Sequence, residues 1–240
     1  MEPFDLVAVC AHPDDAELAM GGTLARAAAA GARVAMVDLT RGESGSRGTP
    51  NLREAEAREA ARILGVAHRE SLGLPDGRLE SVPEQRDEMV GAVRRLRPRV
   101  VLLQHWDQRH PDHAAASRIV YDACFLGGLR NYRPDLGDAW RPRKLCYAVT
   151  MTEARDVRPT FVVDVTGQWD TKMRAVRAFA SQFAPGPGET APLPLDRFQE
   201  AVELAGRRHG QHIGVRYGEG FVTREPLAVS DVLALAGESI

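Results

Sequence analysis

The sequence is poor in several features that would point to particular classes of protein. It contains only three cysteines in 240 residues, and they lie far apart without C-x-x-C spacing. Such cysteines are typical of core residues in a reducing compartment rather than of a disulfide framework. No apolar run approaches membrane-spanning length. The 31 basic residues nearly balance the 33 acidic ones, and no basic stripe stands out, so neither nucleic acid nor a membrane is an expected partner.

Several catalytic motifs are also missing. The glycine-rich segment 41–50 has no Gly-Lys-Ser/Thr, which argues against a loop that binds nucleotide phosphates. Ser44 and Ser46 do not lie on a G-x-S-x-G elbow, which argues against a serine hydrolase. The first residues show neither a basic stretch nor a signal-type apolar core, so we expect a cytoplasmic protein.

What the sequence does have is a regular alternation of strand and helix patterns. Apolar residues make up 44% of the chain, enough for a continuous core, and we expect one domain over 1–240 with a core of about 1–183 and a C-terminal extension of about 184–240. The alternation predicts an α/β, Rossmann-like fold, with a mostly parallel sheet, helices on both faces and a C-terminal cap segment. Strands are predicted at 4–10, 33–40, 99–104, 144–150 and 160–165, and helices at 17–30, 52–64, 81–96, 112–126, 171–183, 196–209 and from 230.

Two polar motifs follow predicted strands. His12-Pro13-Asp14-Asp15 comes directly after the first strand, and His110-Pro111-Asp112-His113 comes shortly after the strand at 99–104. In open α/β sheets, ligands bind in the crevice beyond the carboxyl ends of the strands. If these two strands are neighbours, residues about a hundred positions apart meet in that crevice.

The residue types in the two motifs indicate a metal-dependent hydrolase. Catalytic zinc uses three imidazole or carboxylate ligands and keeps one position open for water. His12 and Asp15 can supply two ligands, and His113 can supply the third. We expect Asp14 to stand beside the attacking water as the base. We expect His110 to face the substrate from the other side, steadied by Asp112 through its second ring nitrogen.

A simpler interpretation of each motif also exists. Pro-Asp before a helix is an ordinary helix start, in which Asp15 or Asp112 only caps. On that interpretation the protein is a non-catalytic module that binds a sugar or a nucleotide. Two motifs, each behind an apolar strand, favour the metal site. Histidine and carboxylate ligands also accept iron, cobalt or manganese, so the residues alone leave the metal open.

The paired motifs resemble the zinc-dependent N-acetylglucosaminyl deacetylases of the LmbE-like superfamily, which includes the phosphatidylinositol-GlcNAc de-N-acetylases. Within that superfamily, further segments are similar to the branch that acts on N-acetylglucosaminyl L-malate in bacillithiol biosynthesis. These segments are 38–43, 53–54, 74–76, Arg109, 172–173, 181–183 and 213–221. Gln108 and the stretch 186–192 depart from the pattern of that branch.

The resemblance implies a specific reaction and specific roles. The reaction is removal of the N-acetyl group of N-acetylglucosaminyl L-malate, giving acetate and a free amine. His12, Asp15 and His113 match the family's metal ligands, with Zn2+ as cofactor. Asp14 matches the base, and His110 with Asp112 matches the acid and orienting pair. Arg53 and Arg109 are expected to bind substrate. The resemblance also implies a homo-oligomer, commonly a hexamer. Alternative substrates are a chitooligosaccharide or a GlcNAc-inositol.

Overall fold

The computed structural model describes residues 2–150, 153, 156–183 and 195–232. Within them lie seven strands: β1 (Leu6–Cys10), β2 (Val34–Asp38), β3 (His68–Ser71), β4 (Val100–Gln104), β5 (Lys144–Val149), β6 (Phe161–Asp164) and β7 (Gly218–Val222). The helices are α1 (Asp15–Ala29), α2 (Pro50–Leu64), α3 (Pro83–Leu96), α4 (Pro111–Leu126), α5 (Trp169–Arg177), α6 (Ala180–Phe183) and α7 (Leu195–Gln211).

The strands form one mixed sheet in the order β3-β2-β1-β4-β5-β7-β6. Strands β1 to β5 are parallel, whereas β7 runs antiparallel to both β5 and β6. Helices cover both faces, so the predicted α/β fold is confirmed. The chain steps outward from β1 to β3 and then returns to place β4 on the other side of β1. The junction between β1 and β4 is therefore the point at which the strand order reverses, where such sheets bind their ligands.

Side chains of β1 alternate between two cores, as expected for a central strand with helices on both sides. Val7 and Val9 belong to a core with residues of α3 and α4. Ala8 and Cys10 belong to the opposite core, which contains residues of α1, α2 and α5. All three cysteines are buried and free, in agreement with their interpretation as core residues.

The sequence patterns misplaced several elements. Strands β3 and β7 were not predicted, because β3 is a partly exposed polar segment and β7 carries two glycines and Glu219. The predicted helix 171–183 is divided into α5 and α6. Helix α2 begins at Pro50 with Thr49 as its N-cap, because the Thr49 hydroxyl accepts the Leu52 N–H and proline fits the first helical position.

The C-terminal segment contributes to the sheet as well as covering it. Strand β7 lies between β5 and β6, so residues beyond 183 complete the sheet. Helix α7 packs against β7, and its residues 201–209 form one wall of the cavity described below. The helix predicted from Ser230 falls largely on 233–240, outside the described residues. None of the described helices has the length and apolar character that crossing a membrane would require.

Two glycines in the middle of α1 allow the C-terminal half of the chain to approach this helix closely. A Cβ at Gly22 would lie 2.7 Å from Val165 Cβ and 3.1 Å from Glu219 Oε1. A Cβ at Gly21 would meet Lys172 Cγ at 3.4 Å. Glycine at position 22 costs helix stability. That cost is offset because the missing side chain lets Val165 and Glu219 pack directly against the helix.

We expect Gly22→Ala to lower the free energy of unfolding by about 1–3 kcal/mol, because the added methyl overpacks a filled site. The matched control is Gly91→Ala in α3, where a Cβ meets nothing nearer than Leu136 Cδ2 at 4.0 Å. That change should stabilise the protein by about 0.4–1 kcal/mol, since alanine is the better helix former. Urea unfolding of both variants measures the difference. Equal effects of the two substitutions would contradict the packing account.

Candidate metal centre

The first motif is held at the end of β1 by the neighbouring strand. The Ala11 N–H donates to Oε1 of Gln104, the last residue of β4, at 2.9 Å. Asp14 then adopts a left-handed backbone conformation (φ 108°) at the N-cap of α1. Such a conformation is uncommon for any residue except glycine, and surrounding contacts must maintain it. The turn brings His12 and Asp15 to the same side of the sheet edge.

The three predicted metal ligands meet at this edge. His12 Nδ1 lies 3.3 Å from Asp15 Oδ2, and His113 Nε2 lies 3.2 Å from Asp15 Oδ1. One ligand atom from each of the three residues falls within 4.8 Å of the other two. All three side chains are mostly buried. Two imidazoles and one carboxylate converging on one point form a donor set that suits zinc.

The second ring nitrogen of His12 is also surrounded by carboxylates. His12 Nε2 lies 3.0 Å from Asp76 Oδ1 and 3.2 Å from Asp112 Oδ2. Asp112 is in turn fixed by the Gly77 N–H at 2.7 Å and by the Leu79 N–H at 3.3 Å. A carboxylate that holds the far nitrogen of a metal-binding histidine fixes the orientation of the ring. Asp112 is therefore in the site, but its carboxylate contacts His12 rather than the expected His110.

The electrostatics of the site favour a bound cation. Burial alone would lower the pKa of His12, but the hydrogen bond and charge of Asp15 outweigh it and raise that pKa to about 9. Burial and the neighbouring charge of Asp15 raise the pKa of Asp14 well above its usual range. Carboxylates thus crowd around one imidazole in a poorly solvated place. A divalent cation relieves that crowding, so these residues fit the metal that their types predict.

Asp14 and Arg53 are linked at the site. Arg53 Nη2 lies 3.5 Å from Asp14 Oδ2 and donates to the Pro13 carbonyl at 2.9 Å. Its Nη1 donates to the Gly42 carbonyl at 2.8 Å. The guanidinium is buried, with both hydrogen bonds directed to backbone carbonyls. Arg53 therefore joins the motif to the 41–50 loop through two backbone carbonyls, and its expected role in binding substrate remains a prediction.

His110 lies at the rim of the ligand group and is exposed. Its ring is 5.0 Å from that of His12 and 4.7 Å from that of His113, centroid to centroid. His110 is the N-cap of α4, and its Nδ1 accepts the backbone N–H of Asp112 at 3.2 Å. In the neutral ring the proton then resides on Nε2, which is free to act as a hydrogen-bond donor. Arg109 is also exposed and lines the cavity beside Asp15 and His113.

Asp76 belongs to the site but was absent from the predicted site residues. Besides contacting His12, it accepts the Ser44 N–H at 2.8 Å, and its own N–H donates to Glu43 Oε1 at 2.9 Å. It thereby ties the 41–50 loop to the ligand group. In the sequence, the segment 74–76 is marked only by the family resemblance. Asp76 lies more than 30 residues from both histidine motifs, at 12–15 and 110–113. No sequence spacing rule links a single aspartate to histidines that far away.

The fold and the site together define an α/β protein with a His/Asp/His metal-ligand group at the junction of two parallel strands. A family model described as GlcNAc-PI de-N-acetylase matches residues 7–124. A diacetylchitobiose deacetylase from Thermococcus kodakarensis is 30% identical over 91% of this chain and 84% of its own length. The chain therefore belongs to the GlcNAc-PI de-N-acetylase, or LmbE-like, family.

Two further relatives extend this comparison. A conserved protein of Thermus thermophilus has a solved structure that superposes with a TM-score of 0.84 at 42% identity, covering 95% of this chain and 98% of that one. A 1D-myo-inositol 2-acetamido-2-deoxy-alpha-D-glucopyranoside deacetylase of Geodermatophilus obscurus is 33% identical over 58% of this chain and 59% of its own length. The two curated relatives are both named as deacetylases, one of diacetylchitobiose and the other of a GlcNAc-inositol.

We expect purified protein to hold about one divalent ion per chain, because three ligands converge on one point. His113→Ala should lose that ion, since it removes one of the three ligands. The control is His212→Ala, which changes an exposed histidine outside the ligand group. Elemental analysis after desalting measures both. Full metal content in His113→Ala would contradict the assignment.

Proposed function

We propose that this protein is a zinc-dependent hydrolase that removes the N-acetyl group from a conjugate of N-acetylglucosamine. The observation that carries the proposal is the convergence of His12, Asp15 and His113 beside Asp14 at the carboxyl ends of β1 and β4. A non-catalytic binding module would use the aspartates only to cap the helices. It would have no need for the two imidazoles of His12 and His113 around the Asp15 carboxylate.

The names of the relatives support this reaction class. The Thermococcus relative deacetylates diacetylchitobiose, and the Geodermatophilus relative deacetylates a GlcNAc-inositol. Both substrates carry an acetamide on glucosamine, and they differ in the group attached to the sugar. The acetamide is therefore the part of the substrate that we assign to the ligand group.

In this proposal the residues around the ligand group divide the chemistry among them. Bound zinc would polarise the acetamide carbonyl and acidify the attacking water. Asp14 takes the proton from that water, and Arg53 keeps the Asp14 carboxylate in place from 3.5 Å. His110 donates from Nε2 to the oxygen of the tetrahedral intermediate, as its accepting Nδ1 allows. The C–N bond then breaks, and a proton from Asp14 or His110 releases the amine.

For the particular substrate, we propose N-acetylglucosaminyl L-malate, the deacetylase substrate of bacillithiol biosynthesis. The resemblance of segments along most of the chain supports this choice, and exposed Arg109 beside the cavity is suited to the malate carboxylates. The Thermococcus relative, which matches most of this chain, favours a chitooligosaccharide as the second candidate. On the same resemblance we propose one domain over 1–240 acting in the cytoplasm as a homo-oligomer, commonly a hexamer.

We expect Asp14→Asn to keep its zinc but to lose activity by about 10²–10⁴-fold, the usual contribution of a general base. Asparagine tolerates the left-handed backbone at this position, so the fold should survive. Asp138→Asn, at an exposed position, is the matched control and should retain full activity. Metal content and rates of amine release are measured together. Full activity in zinc-loaded Asp14→Asn would contradict the assignment of Asp14 as the general base.

The substrate proposal predicts a ranking. Amine release from GlcNAc-malate should exceed that from GlcNAc-inositol and from N,N'-diacetylchitobiose, measured side by side on the zinc-loaded protein. Arg109→Ala should reduce the preference for malate by about 10-fold, in line with the loss of a charge-assisted contact worth about 1.5 kcal/mol. Equal rates on all three substrates would contradict the proposal that GlcNAc-malate is the preferred substrate. They would still be consistent with the proposed deacetylase activity.

A further inference from the structure

An apolar cavity of about 310 Å³ opens beside the ligand group. Asp15 and His113 line it on one side. This volume reaches the ~300 Å³ at which small-molecule sites begin. An acetyl methyl, by contrast, is about the size of one water molecule. The apolar walls come from α1, the end of β5 and α7, namely Leu18, Ala19, Val149, Ala201, Val202 and Ala205.

Three of the ionisable groups that line this cavity, namely Lys172, Glu219 and His209, are neutral or neutralised, whereas Arg109, which also lines it, is exposed. Lys172 Nζ lies 2.6 Å from Glu219 Oε1, and both side chains are buried. Glu219 also accepts the backbone N–H groups of Gly22 and Thr23 at 2.9 and 2.7 Å. His209 Nε2 lies 3.1 Å from the Val149 carbonyl oxygen, and burial lowers the pKa of this ring, which keeps it uncharged. Apart from the exposed Arg109, the lining therefore suits an apolar guest better than a charged one.

Other polar groups of the site lie outside this cavity, whereas Gln104, Gln108, Arg109 and Thr150 line it beside the apolar walls. Asp14, Asp76 and His110 surround the ligand group but do not line the cavity. A sugar, whose hydroxyls need hydrogen-bonding partners, fits that polar side. The two halves of a scissile amide extend in opposite directions from the carbonyl. With the sugar on the polar side, the acyl group points into the cavity.

We propose that this cavity is an acyl-chain site, which lets the enzyme hydrolyse N-acylglucosamine conjugates with acyl groups longer than acetyl. The proposal rests on the proposed function and specifies the acyl half of its substrate. Water adds to the carbonyl carbon and the C–N bond breaks, so the products are a short fatty-acid anion and the free amine. Each methylene that enters the cavity should improve binding by about fourfold.

The test compares N-acetylglucosamine with N-hexanoylglucosamine on the zinc-loaded protein. We expect kcat/KM to be at least about 10-fold higher for the hexanoyl substrate, since four more methylenes are buried. Ala205→Phe fills the cavity and should bring the hexanoyl-to-acetyl ratio of kcat/KM below one. A ratio of two rates is unaffected by a partial loss of folded protein.

Two controls make the result specific. Leu204→Phe changes the neighbouring residue on α7, which is 62% exposed, and should leave the ratio unchanged. Val202→Thr keeps the volume but makes the wall polar, and should lower the ratio. The octyl glycoside of N-acetylglucosamine tests whether the cavity instead takes an apolar aglycone. A gain with the octyl glycoside but not with the hexanoyl amide overturns the proposal, as does a wild-type ratio below one.

Calorimetric binding separates this proposal from the proposed function. If no N-acyl substrate is cleaved, the deacetylase proposal fails. Tighter binding of N-hexanoylglucosamine than of N-acetylglucosamine, lost in Ala205→Phe and kept in Leu204→Phe, would still support the acyl-chain site. Equal binding of the two sugars by the wild-type protein would overturn it.

Discussion

The crowding of carboxylates around His12 is the constraint on which the rest of the site depends. Asp15, Asp76 and Asp112 all lie within 3.3 Å of this one imidazole, and they come from three separate segments of the chain. So many carboxylates in a poorly solvated place are tolerable only with compensating positive charge. Backbone N–H groups hold Asp76 and Asp112 in position, but they carry no net charge. Without a metal, the raised pKa of His12 keeps the imidazole protonated, and the ring itself supplies that charge. In the proposed metal centre a bound cation supplies it, and the surrounding fold holds the carboxylates in place.

The sheet explains why these segments meet. Strand β1 pairs with β2 on one side and with β4 on the other, so the turns after β1 and β4 open into one crevice. Two contacts between distant parts of the chain then hold the walls of this crevice together. Gln104 holds the backbone of Ala11, and Arg53 joins Pro13 to the 41–50 loop. The strained backbone of Asp14 is maintained by these neighbours, and the turn places Asp15 in the ligand group with Asp14 beside it.

The sequence was sufficient for the parts of the site that follow strands directly. The convergence of His12, Asp15 and His113 could be predicted because buried strands end just before their motifs, and neighbouring parallel strands share an edge. Asp76 could not, since it follows a polar edge strand with no periodic signal. The prediction that the Asp112 carboxylate steadies His110 was wrong, because nearness in sequence suggests that pair, whereas the fold places the carboxylate 3.2 Å from His12 Nε2. Strand β7 was missed since its glycines and Glu219 are explained only by their contacts with distant segments, such as that of Glu219 with Gly22, 197 residues earlier.

The most direct test of the central claim is to locate the metal. Crystals grown with zinc should give an anomalous peak at the zinc edge about 2.0–2.2 Å from a nitrogen of His12, a nitrogen of His113 and an oxygen of Asp15. Asp76 and Asp112 should remain on the far nitrogen of His12. A peak bound elsewhere, or zinc held without His113, would contradict the account.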